Sequence, residues 1–94
     1  MKRKNEDTRS YGYAPNVAWR KIDRATVILD LAQSVYYSLN DTGLFVWERL
    51  GAGETPALIA EALSAEFSIT PAAAARDVAG LIEMLSKHNL IVPV

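Results

Sequence analysis

The stretch Val35-Tyr36-Tyr37-Ser38-Leu39-Asn40-Asp41-Thr42-Gly43-Leu44-Phe45-Val46-Trp47-Glu48-Arg49-Leu50 holds the change of period that decides the fold. Its first five residues are β-branched, aromatic or aliphatic apart from one serine. Alternation puts Val35, Tyr37 and Leu39 on one face and Tyr36 and Ser38 on the other. From Leu44 onward the apolar residues Leu44, Val46, Trp47 and Leu50 fall at the spacing of a buried helix stripe. Between the two patterns, Asn40 or Asp41 offers a short side-chain oxygen to cap the helix. A strand therefore runs straight into a capped amphipathic helix, with no catalytic arrangement of His, Cys or Ser. What it presents is backbone and apolar surface, which suits recognition of another chain.

Upstream of this junction the sequence predicts two more strands. Val17-Ala18-Trp19-Arg20-Lys21-Ile22 alternates imperfectly, and Ala25-Thr26-Val27-Ile28-Leu29-Asp30-Leu31 is the most β-branched run in the chain. The short connections Asp23-Arg24 and Ala32-Gln33-Ser34 fit an antiparallel meander. Residues 1–14 are polar, with Lys2, Arg3, Lys4 and Arg9 mixed with Glu6 and Asp7. They read as a flexible arm, leaving 15–94 as the folded domain.

Downstream, Gly51-Ala52-Gly53 stops the first helix, and Thr55-Pro56 starts a second with Leu58, Ile59, Ala62, Leu63 and Phe67 as its apolar face. Thr70-Pro71 repeats the start signal for a third helix, whose core stripe is Ala74, Val78, Leu81, Ile82 and Leu85. That helix is expected to end near Lys87-His88-Asn89, with Leu90-Ile91-Val92 extended to close the core. Three strands followed by three helices define an α+β domain, a three-stranded antiparallel sheet with a winged helix-turn-helix-like succession of helices.

Composition narrows the function. Ninety-four residues make one small domain, and 50% apolar content makes it globular. The absence of cysteine excludes disulfides and thiolate metal sites and fits a reducing compartment. No apolar h-region follows the charged N-terminus, and no run approaches the length of a membrane helix, so a cytoplasmic protein off the membrane is expected. A net charge of −1 weighs against nucleic acid as the partner. The sole histidine, His88, stands at a helix end, and Glu48, Glu54, Glu61, Glu66 and Glu83 are scattered over polar faces. Neither a GxGxxG nor a P-loop pattern occurs. The reading is of a protein that is not an enzyme, with no metal and no cofactor.

Two features mark a binding surface instead. A three-stranded meander has two edges, and Val35–Leu39 lacks the charge or proline that usually blocks one. An extended peptide could add there through backbone hydrogen bonds. On the third helix, Ala73, Asp77, Gly80, Met84 and His88 fall at steps of three or four beside the core stripe. A mid-helix glycine costs about 1 kcal/mol relative to alanine, so Gly80 marks a close approach, by a partner or by the second helix.

Ile28-Leu29-Asp30, Tyr36 to Gly43, Val46-Trp47-Glu48 and Asp77-Val78-Ala79-Gly80-Leu81 together resemble the PQQ-synthesis protein D (PqqD-like) family over about Val17 to Val92. The resemblance implies a peptide chaperone, or RiPP recognition element, that binds the leader segment of a ribosomally made precursor peptide and presents the core to modifying enzymes. In that family the leader lies as an added strand beside the third strand, against the third helix. The matching positions here are Val35, Tyr36, Tyr37, Ser38 and Leu39 on the strand, and Asp77, Gly80, Leu81 and Met84 on the helix. Ala32-Gln33-Ser34 and the Tyr36-Tyr37 pair depart from the PQQ-pathway pattern and look more like the stand-alone proteins of lasso-peptide clusters, whose partner is a leader peptidase. Three other readings stand beside it: a PqqD-type chaperone for a radical-SAM enzyme in PQQ biosynthesis, a winged-helix DNA-binding regulator using Arg76, Lys87 and Asn89, and a homodimer formed through the same strand edge.

Overall fold

The structure, a computed structural model, describes residues 9–23 and 25–94. The polar segment 1–8 and Arg24 of the first predicted turn lie outside the described residues. Along the chain come β1 (Tyr11–Tyr13), β2 (Val17–Ile22), β3 (Ala25–Asp30), β4 (Val35–Leu39), α1 (Asp41–Gly51), α2 (Pro56–Phe67), α3 (Pro71–Lys87) and β5 (Ile91–Pro93). β2, β3 and β4 form the expected antiparallel meander with β3 in the centre. The fold is α+β, as the segregation of strands and helices predicts.

Register assigns each side chain to a face. Trp19 lies opposite Ile28, which lies opposite Tyr37, and Thr26 lies opposite Leu39. This face is the inner one, since Thr26, Ile28, Asp30 and Leu39 are all buried. It packs into a core completed by Val46, Trp47 and Leu50 of α1, Ile59 and Leu63 of α2, and Ala74, Val78 and Leu85 of α3. The helix stripes read from the sequence thus point inward, with one correction. Leu58 is more than half exposed, because Ile59 and Leu63 define the buried line of α2 and Leu58 falls to its side.

Capping follows the sequence closely. Asn40, not Asp41, is the N-cap of α1, its Oδ1 accepting from the Gly43 N–H at 2.9 Å. Thr55 and Thr70 cap α2 and α3 with proline in the first turn. Ser68 ends α2 in the left-handed region at φ 54°, where the Ile69 N–H reaches the Ser64 carbonyl.

The expected arm does not extend to residue 14. Tyr11–Tyr13 forms β1, paired antiparallel with β5 in a second, two-stranded sheet, and Tyr11 and Ala14 are buried. Tyr13 stacks on Trp47 at 4.2 Å between ring centroids, while Trp19 meets both rings edge-on. The Tyr13 hydroxyl donates to the Trp47 carbonyl at 2.8 Å. A Cβ at Gly51 would fall on the Tyr13 ring, so the last residue of α1 must be small to admit it.

Burial, with the nearby Glu48 charge adding to it, pushes the Tyr13 phenol up from 10.0 to about 12. An unfolded tyrosine ionises first as pH rises past 10, so this contribution to stability is whole below pH 10 and is lost between 10 and about 12. Tyr13→Phe is expected to lower stability at neutral pH and to flatten that alkaline fall. Paired denaturant titrations of wild type and variant from pH 8 to 12 check it, and parallel curves would refute it.

Candidate functional site

β4 is an edge strand. One side pairs with β3, and among the described residues no backbone hydrogen bond is made on the other. In an antiparallel pair every second residue turns its N–H and C=O away from its partner, so the outer margin of β4 presents a row of unpaired groups. The margin is held in place by the turn before it. The Asp30 carboxylate accepts from the Asn16 side-chain amide at 2.9 Å and from the Ala32 and Gln33 N–H groups at 3.0 and 3.4 Å. The Ser34 N–H reaches the Asp30 carbonyl at 2.7 Å, and Ser34 itself sits at φ 58°. The Asn16 hydrogen bond, opposed by desolvation and aided by the two backbone donors, holds the Asp30 carboxyl below the usual carboxylate range.

Beside this margin lies a groove of about 920 Å³. Ser38 and Leu39 form its strand wall, and Asp77, Gly80, Leu81 and Met84 form its helix wall. Val46 and Leu63, both buried, line it from the core side, and the capping residues Asn40 and Thr42 close one end. The groove is graded along α3, from charged Arg76 and Asp77 to apolar Leu81 and Met84. The ion pairs Lys21–Glu48 and Arg49–Glu54 involve neither Arg76 nor Asp77.

The structure thus brings together Ser38, Leu39, Asp77, Gly80, Leu81 and Met84. Val35, Tyr36 and Tyr37 do not line the groove. Val35 lies opposite Asp30 at the far end of the strand, and Tyr37 is half-buried with its ring 5.2 Å from that of His88. Tyr36, opposite Leu29, turns to the outer face of the sheet and is exposed. These three belong to the edge through their backbone, not through side chains in the groove.

Gly80 is also clarified. Nothing lies within 4 Å of a Cβ built there, so α2 does not require the glycine and the open space belongs to the groove. Of the charged residues lining the groove, Arg76 is the one the binding-surface reading left out. Its neighbour Asp77 carried the helical spacing that drew attention, whereas Arg76 stands off that row.

Residues 25–91 match the family of coenzyme PQQ synthesis protein D (PqqD). The chain belongs to the PqqD family. Among solved structures, this PqqD-family chain is similar to a lasso peptide synthetase B1 complexed with the leader peptide. The identity is 30% and the TM-score 0.83, over 89% of this chain and 99% of that one. It is also similar to TbiB1 in complex with the TbiA(beta) leader peptide, at 28% identity and a TM-score of 0.79, over 85% of this chain and 93% of that one. No curated protein matches the chain. Among the described residues, no three of His, Cys, Asp or Glu come together as a metal site, and no helix is long and apolar enough to cross a membrane.

Proposed function

We propose that this PqqD-family chain is a non-catalytic module that binds the leader segment of a ribosomally synthesised precursor peptide. The leader adds as a strand to the outer margin of β4 and seats alternate side chains between β4 and α3. The observation that carries this reading is the unpaired β4 margin lying directly beside an open groove. Backbone hydrogen bonds supply sequence-tolerant affinity, and the graded groove supplies selection. The module then presents the peptide to a separate modifying enzyme, a leader peptidase of lasso-peptide biosynthesis, in the cytoplasm.

Similarity to two structures solved with leader peptides favours this reading over a PQQ-pathway chaperone and over a DNA-binding regulator. The succession of α1, α2 and α3 supports describing the helical half as winged helix-turn-helix-like, with α3 walling a peptide groove in place of reading a duplex. A homodimer through two β4 margins would use the same backbone groups as the peptide, so peptide binding and self-pairing would exclude each other.

Titration with the cognate leader is expected to shift the backbone amides of Val35–Leu39 and Asp77–Met84 and to leave those of β1 and β5 unmoved. Met84→Glu places a charge on the apolar end of the groove and is expected to weaken the leader roughly tenfold, about 1.4 kcal/mol. Unshifted β4 amides, or wild-type affinity in the variant, would overturn the assignment.

A further inference from the structure

The outer face of the β2–β3–β4 sheet is apolar and carries no layer among the described residues. A sheet with one solvated face normally alternates apolar-in and polar-out. Here the outward positions of β3 are Ala25, Val27 and Leu29, so its continuous apolar run reads as a strand built for cover on both sides. Ala18 and Ile22 of β2 and Tyr36 of β4 extend the same face, with Tyr36 70% and Ile22 50% exposed. Ala18, Ile22, Val27, Leu29 and Tyr36, with Trp19 and Arg20, line a concavity of about 350 Å³. Among the described strand residues Arg20 is the single charged side chain on the face, and no carboxylate accompanies it there.

We propose that this face is a docking surface for the enzyme that acts on the groove-bound peptide, a protein presenting an apolar patch with a carboxylate placed to meet Arg20. The charge pattern selects that occupant over a second copy of the chain. Two such faces packed together would enclose two guanidinium groups with no counter-charge, an arrangement that like-charge repulsion and desolvation both oppose. The position of β4 points the same way. Of β4, Ser38 and Leu39 border the groove, while Tyr36 lines the outer-face concavity. A strand added to the margin would continue the sheet and set its own alternate side chains next to Tyr36. A protein seated on the outer face therefore reaches the cargo without emptying the groove. The face is made of strands already paired in the peptide-free domain, so docking does not wait for the peptide. This inference rests on the strand-addition reading, and its test separates the two.

The test uses the full chain, the cognate leader, and the purified leader peptidase of the same pathway immobilised as the probe. Ala18→Glu and Ile22→Glu alter exposed side chains of β2, away from the β4 margin, and thermal melts confirm that both fold. Peptide-free wild type is expected to bind the peptidase. Each variant, and Arg20→Glu, is expected to bind it at least tenfold more weakly while keeping leader affinity within twofold of wild type. Unchanged peptidase binding in the variants, or peptidase binding by wild type only when leader is present, overturns the proposal. So does a wild-type dimer in light scattering that the substitutions dissociate, which would assign the face to a second copy. A wild type that fails to bind leader yet binds the peptidase through Ala18 and Ile22 would remove the groove reading and leave the docking face standing.

Discussion

Gly80→Leu is expected to abolish leader binding while making the domain more stable. The two effects have one origin. A Cβ at Gly80 meets nothing within 4 Å, so replacing the glycine with a good helix former removes a mid-helix penalty of about 0.5–1 kcal/mol and directs the new side chain into open space. The same open space is the helix wall of the groove, between Asp77 and Met84. A leucine there occupies the volume that the side chains of an added strand would take. The expected loss is roughly 100-fold or more in affinity, about 2.7 kcal/mol. Gly80→Ala is expected to share the gain in stability with a smaller loss of affinity. Calorimetric titration with the leader, alongside thermal melts, reads both effects. A stabilised Gly80→Leu protein with undiminished affinity would show that the peptide does not enter this groove.

The second large effect is in the core. Trp47→Ala is expected to cost about 3–5 kcal/mol, the usual range for removing a large buried side chain. Trp47 is fully buried, stacks on Tyr13, and meets Trp19 at 6.1 Å. Small domains have only about 5–15 kcal/mol in total, so the variant should be partly unfolded at ambient temperature. Trp47→Phe separates packing from polarity. The indole N–H has no acceptor among the described residues, so phenylalanine keeps an aromatic ring while removing a buried donor without a partner there. It should cost much less than alanine. Urea unfolding of the three proteins checks the order, and equal midpoints for Trp47→Ala and wild type would contradict the central role of this ring cluster.

Strands β2 to β4 and all three helices were legible because their signals are local. The β-branched runs, the Asn40, Thr55 and Thr70 caps, and the apolar stripes each lie within one element. β1 was not legible, because Tyr11-Gly12-Tyr13 is three residues long and becomes a strand only by pairing with Pro93, Val92 and Ile91 at the other end of the chain. That β4 is an edge followed from the meander order, and its lack of charge and proline is plain in Val35–Leu39 itself. The role of Tyr36 was only half readable. Alternation separates it from Tyr37, but the register against Leu29 is needed to show which face borders the groove. Gly80 was visible as an anomaly, and only the surrounding space shows that it opens outward.

The clasp between β1 and β5 has an architectural consequence. The Val94 N–H meets the Ser10 carbonyl at 3.0 Å, so the chain enters and leaves the domain at adjacent points. Splicing such a unit into a surface loop of a larger polypeptide would leave only a small gap to bridge, and closing a short loop costs little chain entropy. The same fold is therefore as well suited to being carried as an insert by a host enzyme as to travelling on its own.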